Sequence, residues 1–169
     1  MNILAATTPD IPALVTLVNS AYRGESSKKG WTTEADLLGG IRTDEKSLAD
    51  MINKAGATML ICRNENNALT GCVYLQKQDA AMYLGMLTVS PVLQNAGIGK
   101  HLLAAATEHA RQHYCNTITM TVISVRNELI AWYERHGYHK TGETKPFPAD
   151  PAFGLPKQPL EFVVMEKTI

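Results

Sequence analysis

The chain has 169 residues, 45% of them hydrophobic and 19% charged, with a formal net charge of zero. That is an ordinary globular balance for a single domain spanning 1–169, and zero charge removes the electrostatic drive for nucleic-acid or membrane-surface binding. No apolar run is long enough to cross a bilayer, and the opening MNILAATTPD lacks the basic start and apolar stretch of a signal peptide.

Residues 2–6 read as a short strand. Thr8-Pro9-Asp10 then starts a helix, with Thr8 as cap and Pro9 in the first turn. Ile11, Leu14, Val15, Val18 and Tyr22 follow at helical spacing, and Gly24 ends the helix. Residues 31–38, WTTEADLL, read as a second short helix broken by Gly39-Gly40. Thr43-Asp44-Glu45 opens a third, with Leu48, Met51 and Ile52 inward. Residues 57–63 and 69–76 are strands joined by a polar hairpin turn. The three cysteines, Cys62, Cys72 and Cys115, have no metal-like spacing and read as reduced thiols, which suits a cytoplasmic protein.

Residues 82–89, MYLGMLTV, are apolar on both faces, with Met82, Leu84 and Met86 on one and Tyr83, Leu87 and Val89 on the other. That suits a central strand. Ser90-Pro91 ends it. Ile98, Leu102, Leu103, Ala106 and Ala110 then form the stripe of an amphipathic helix. The turn between them is Gln94-Asn95-Ala96-Gly97-Ile98-Gly99-Lys100. Its glycines permit a tight turn and close ligand approach, and the helix start offers free N–H groups to a phosphate. The alternative is a plain connection whose glycines serve only the turn. A Walker loop fails, because Gln94 replaces its first glycine and His101 its Ser or Thr. The dinucleotide fingerprint fails at Leu102.

Residues 117–123 alternate threonine with Ile118, Met120 and Val122 as a strand. Residues 128–136 form a helix ended by Gly137, and 138–141 a strand. Residues 141–159 read as a long loop with five of the eight prolines, and 160–166 as the last strand. The order implies a mixed α/β layer with a largely antiparallel sheet. His109 and His113 stand four apart without a third ligand, so no metal is expected.

Gln94-x-x-Gly97-x-Gly99, after an apolar strand and before an amphipathic helix, resembles the acyl-CoA motif of the GNAT superfamily of N-acetyltransferases. The resemblance implies the GNAT fold, a mixed and mostly antiparallel twisted sheet flanked by helices. It implies acetyl-CoA as co-substrate, its pyrophosphate held by backbone amides of Gln94, Asn95, Ala96, Gly97, Ile98, Gly99 and Lys100. Its pantetheine arm would pair with Leu87, Thr88 and Val89. Residues 126–138, RNELIAWYERHGY, resemble the family's second landmark. There Tyr133 falls on the tyrosine that acts as general acid toward the coenzyme A thiolate; the alternative is an aromatic packed on the sheet. Family members carry an asparagine seven residues before that tyrosine. Here Arg126 occupies it and Asn127 follows, so either could contact the coenzyme, or Asn127 could cap the helix.

The acceptor amine must lose a proton before it attacks. The resemblance implies a carboxylate on an early helix or neighbouring strand for that, with Glu34 and Asp36 as candidates; the other reading is acids favouring a helix N-terminus. Trp31 walls the acceptor pocket or belongs to the core. The implied activity is direct transfer of an acetyl group to a primary amine, either a small molecule or a protein N-terminus or lysine. A non-catalytic coenzyme A-binding module is the remaining alternative. A homodimer is left open.

Overall fold

The apolar runs of the sequence pair into one seven-stranded sheet, seen in a computed structural model that describes residues 1–23, 27–28, 30, 32–94, 96–148 and 154–169. In chain order the elements are β1 (Asn2–Ala5), α1 (Ile11–Tyr22), β2 (Leu38–Gly39), α2 (Glu45–Ile52), β3 (Ala57–Arg63), β4 (Leu69–Gln78) and β5 (Ala81–Val89). Then come α3 (Ile98–Gln112), β6 (Thr117–Ile123), α4 (Asn127–Arg135), β7 (His139–Pro146), β8 (Leu155–Pro156) and β9 (Glu161–Thr168). The sheet order is β1-β3-β4-β5-β6-β9-β7. β5 and β6 run parallel and the other neighbours antiparallel, as the mixed α/β expectation requires.

Each face of the sheet carries its own core. Leu14, Val18 and Leu48 of α1 and α2 pack with Met59, Ile61, Cys72 and Tyr74 on one face. Leu102, Leu103, Ala106 and Ala110 of α3 pack with Val73, Leu75, Met82, Leu84 and Ile118 on the other. Leu102 is fully buried, and sequestering such a side chain contributes about 2 kcal/mol.

β5 pairs with β6 only from Ala81 to Tyr83. Beyond Tyr83 the two strands part, and a wedge opens in the middle of the sheet. On its other edge β5 slips register against β4: Cys72 faces Thr88, but Tyr74 faces Gly85, so Met86 and Leu87 together oppose Val73. Met86 absorbs the extra residue with a φ of 52°, a conformation that costs an L-residue about 1–2 kcal/mol. The Thr88 hydroxyl donates to its carbonyl at 2.9 Å.

This bulge corrects the expected division of faces. Met82 and Leu84 do face α3, but Met86 turns toward α1 beside Tyr83, and Leu87 and Val89 swing to the α3 side. A period of two cannot anticipate an inserted residue.

Other boundaries also moved. Asp10 draws the first turn one residue earlier than expected: its carboxylate accepts from the Thr7 N–H at 2.8 Å, and α1 proper starts at Ile11. Its expected end at Gly24 lies outside the described residues, and the last helical residue is Tyr22. The helix expected over 31–38 does not form. Residues 34–37 make one turn, with Leu37 and Leu38 donating to the Glu34 carbonyl, after which Leu38 enters β2. The cause is Glu34, whose side chain points inward to two arginines instead of favouring a solvated first turn. The loop expected over 141–159 is partly strand. β7 continues to Pro146, and β8 pairs with β2 through Leu38–Pro156 and Gly39–Leu155.

Candidate active site

The wedge beside β5 opens into two clefts that share one wall. The first, of about 300 Å³, lies on the α3 side. Leu87, Thr88 and Val89 form its floor, and Gly97, Ile98, Gly99 and Lys100 its rim. Trp132, Tyr133 and His136 of α4 close the far side. Gly97 stands at the N-terminus of α3 with a φ of 82°, left-handed backbone that favours glycine. The first intrahelical bond runs from the His101 N–H to the Gly97 carbonyl, so the amides of Ile98, Gly99 and Lys100 have no acceptor within the helix. Open amides at the positive end of a 15-residue helix can hold an oxyanion. Gly99 lies against Trp132: a Cβ there would sit 3.3 Å from the indole. The Gln94 side chain donates to the Val89 carbonyl at 3.2 Å and packs on Gly30.

The second cleft, of about 270 Å³, lies within the wedge itself. Tyr83 to Leu87 of β5 face Met120 to Ile123 of β6 across it, and Pro148 and Phe162 close one side. Glu34, Arg42 and Arg126 are its charged residues. Tyr22, Leu87, Arg126, Leu129 and Tyr133 line both clefts. The Tyr22 hydroxyl donates to the Leu87 carbonyl at 2.7 Å, which fixes the strand at the junction.

Three buried charges sit beside that junction. Glu34 Oε1 accepts from Arg23 Nε at 3.1 Å and Nη2 at 2.9 Å, and Glu34 Oε2 accepts from Arg126 Nη1 at 3.0 Å. Arg126 Nη2 donates to the Thr32 hydroxyl at 2.7 Å, and the Thr32 hydroxyl donates to Glu128 at 2.9 Å. The triad ties the segment around 32–34 to the start of α4. The same segment is held to the proline-rich stretch, where the Lys157 N–H donates to the Leu37 carbonyl and its ammonium to the Ala35 carbonyl, each at 2.8 Å.

Tyr133 is buried, with Trp132 and Tyr138 edge-on at centroid distances of 5.2 and 5.7 Å. Its hydroxyl takes no hydrogen bond from the described residues. Burial pushes its phenol well above the usual value of 10; nearby Tyr22 raises it further, while the Arg126 charge opposes the rise. The phenol is therefore protonated throughout the neutral range.

The structure gathers Leu87, Thr88, Val89, Gln94, Gly97, Ile98, Gly99, Lys100 and Tyr133 around one cleft and puts Glu34 on the other. Ala96 is exposed and lines neither cleft, and Asn95 and Trp31 lie outside the described residues. Asn127 is exposed at the first position of α4, whereas Arg126, one residue earlier, lines both clefts. Sequence reasoning passed over Tyr22, Arg23, Arg42, Trp132 and His136. Only Tyr22 and Trp132 carried a signal, as aromatics on helix faces. Among the described residues no three His, Cys, Asp or Glu side chains gather as a metal site, and no helix is long and apolar enough to cross a membrane. His109 and His113 stack on each other at 4.2 Å.

The acetyltransferase (GNAT) domain family matches residues 36–148 of this chain. The chain belongs to that family, and its class is that of an acetyltransferase. An acetyltransferase of Agrobacterium fabrum is 30% identical over 84 residues, a match spanning 50% of this chain and 60% of that relative. A ribosomal-protein-alanine N-acetyltransferase from Brucella melitensis shares the fold over 100% of both chains, with a TM-score of 0.72 at 20% identity. A nourseothricin acetyltransferase shares it with a TM-score of 0.72 at 16% identity, over 99% of this chain and 97% of its own. A GNAT-family acetyltransferase from Staphylococcus aureus does so with a TM-score of 0.69 at 16% identity, over 99% and 98%. At these identities the likeness is one of fold.

Proposed function

We propose that this chain, as one catalytic domain, moves an acetyl group from acetyl-CoA to a primary amine by direct attack in a ternary complex. The observation that carries this is the pair of clefts meeting at Tyr133 and Leu87. Two reactants entering from opposite sides would touch only there.

The donor takes the α3-side cleft. Backbone amides between Gln94 and Lys100 hold its pyrophosphate, and the edge of β5 from Leu87 to Val89 guides the pantetheine arm. The bulge at Met86 turns that edge away from β6 and leaves its N–H groups free for the thioester carbonyl, where negative charge develops. Arg126 takes the place of the family's asparagine at the junction.

The amine enters the wedge cleft, and its nitrogen bonds to the thioester carbon as the carbon–sulfur bond breaks. Tyr133 gives its proton to the departing sulfur, and the proton shed by nitrogen passes to water or restores the phenol. The transfer is less evenly balanced than ordinary thiol and phenol values near 8.5 and 10 suggest, because burial raises the phenol. Arg126 eases it by stabilising the phenolate. Glu34 helps to wall the acceptor side, but both of its oxygens are taken by guanidinium groups, so it positions Arg126 instead of accepting the amine's proton.

A protein N-terminus or lysine as acceptor is the second reading, favoured by the fold likeness to a ribosomal-protein-alanine enzyme. Thiol release from acetyl-CoA across a panel of amines and peptides tests both. Release with small amines supports transfer as drawn, and release with peptides alone moves the acceptor to protein. Coenzyme A binding by calorimetry without any release would leave a non-catalytic module.

A further inference from the structure

The charges facing the acceptor cleft do not balance. Among the described residues its lining has one carboxylate, Glu34, against two guanidiniums, Arg42 and Arg126. Glu34 is already shared between Arg126 and Arg23, which stands behind it. Among the described residues Arg42 has no carboxylate partner, and its guanidinium carbon lies 5.4 Å from the centroid of the Tyr22 ring. Its position is fixed as well as unmatched. The Arg42 and Thr43 N–H groups both donate to Asn19 Oδ1, at 2.8 and 3.0 Å, and Asn19 donates back to the Thr43 carbonyl at 3.0 Å. A guanidinium pinned at its backbone, stacked on an aromatic face and left without a counter-ion is prepared for an anion.

We infer that the acceptor is an amino carboxylate, a small amine that carries its own carboxylate, and that Arg42 binds that group. The inference rests on the acetyl-transfer reading and narrows its substrate. Tyr22 sets the spacing: Arg42 lies over its ring, and its hydroxyl holds Leu87, beside which the acetyl-transfer reading puts the thioester. Only one tyrosine ring separates the anion site from the reacting end, which suits a molecule whose amine and carboxylate are a few bonds apart. The other walls include Tyr83, Met86, Met120, Val122 and Phe162, which suit an apolar side chain. A polycationic amine would meet two arginines and, among the described residues, no free carboxylate. A peptide N-terminus would bring an uncharged carbonyl to Arg42, so the inference also separates the small-molecule reading from the protein one.

The test uses matched acceptors: an aromatic, a branched aliphatic and a small amino acid, each with its carboxamide and its decarboxylated amine. Thiol release gives kcat/KM for each, and calorimetry on the coenzyme A-loaded protein gives affinity without turnover. For at least one side chain the carboxylate form is expected to exceed the other two by about tenfold to a hundredfold, the size of a charge-assisted hydrogen bond. In Arg42→Gln that ratio should collapse toward one, and Arg42→Lys should restore part of it. Equal use of all three forms, or a ratio untouched by Arg42→Gln, overturns the inference while leaving acetyl transfer standing. No carboxylate-dependent binding to the loaded protein overturns it too. Absence of coenzyme A binding is a separate result and removes the acetyl-transfer reading itself.

Discussion

Arg126 Nη1 lies 3.0 Å from Glu34 Oε2, a contact between side chains 92 residues apart in the sequence. Both are buried, and the other Glu34 oxygen is taken by the equally buried Arg23. Removing the carboxylate would strand two guanidiniums away from water. Glu34→Ala is expected to cost about 3–5 kcal/mol in urea unfolding, with Glu34→Gln costing less because it keeps a hydrogen-bond acceptor. A catalytic base would behave differently: Glu34→Gln would keep full stability and lose turnover.

Gly97 and Gly99 serve separate ends. Gly97 supplies the left-handed residue that starts α3, whereas Gly99 lets Trp132 lie against the helix. Gly99→Val would push a side chain into the indole and into the donor cleft. Calorimetry should report coenzyme A affinity falling about tenfold or more, with the far-UV spectrum unchanged. Unchanged affinity would remove Gly99 from the donor site.

Alkaline stability follows in part from Cys72 and Tyr22. Burial pushes the Cys72 thiol from 9.0 up to about 12 and the Tyr22 phenol from 10.0 up to about 12. Both groups bind protons more tightly folded than unfolded. Their stabilisation is therefore complete below about pH 9 and is lost progressively as pH rises toward 12. The melting temperature should fall across that window, and less steeply in Cys72→Ala, which removes the thiol's share and leaves that of Tyr22 and the other buried phenols. Identical slopes would mean that Cys72 does not titrate on unfolding.

Much of this was legible beforehand. β3 falls where the apolar run of residues 57–63 beside a polar hairpin turn places it, and β6 where the alternation of residues 117–123 does. Gln94, Gly97 to Lys100 and Tyr133 were named through family resemblance, and the structure brings these residues to one cleft, while Ala96 lines neither cleft. What escaped was long-range. No local pattern says that Glu34 will turn inward to Arg126, that β2 will pair with β8, or that Met86 will take a left-handed conformation. Each depends on partners distant in the chain or on a neighbouring strand. Arg42 was passed over for the same reason, since an arginine in a loop looks solvated until Asn19 and Tyr22 are beside it.

The central claim is that donor and acceptor meet at Tyr133, whose phenol protonates the leaving thiolate. The most direct test is steady-state thiol release by Tyr133→Phe, with coenzyme A affinity measured on the same sample. Loss of a general acid should lower kcat by about a hundredfold to a thousandfold, with coenzyme A affinity within about twofold of the parent protein. Because burial holds the phenol protonated, the parent's rate should show no alkaline fall below about pH 10. A Tyr133→Phe enzyme that binds coenzyme A normally and turns over at the parent's rate across the pH range would contradict the account.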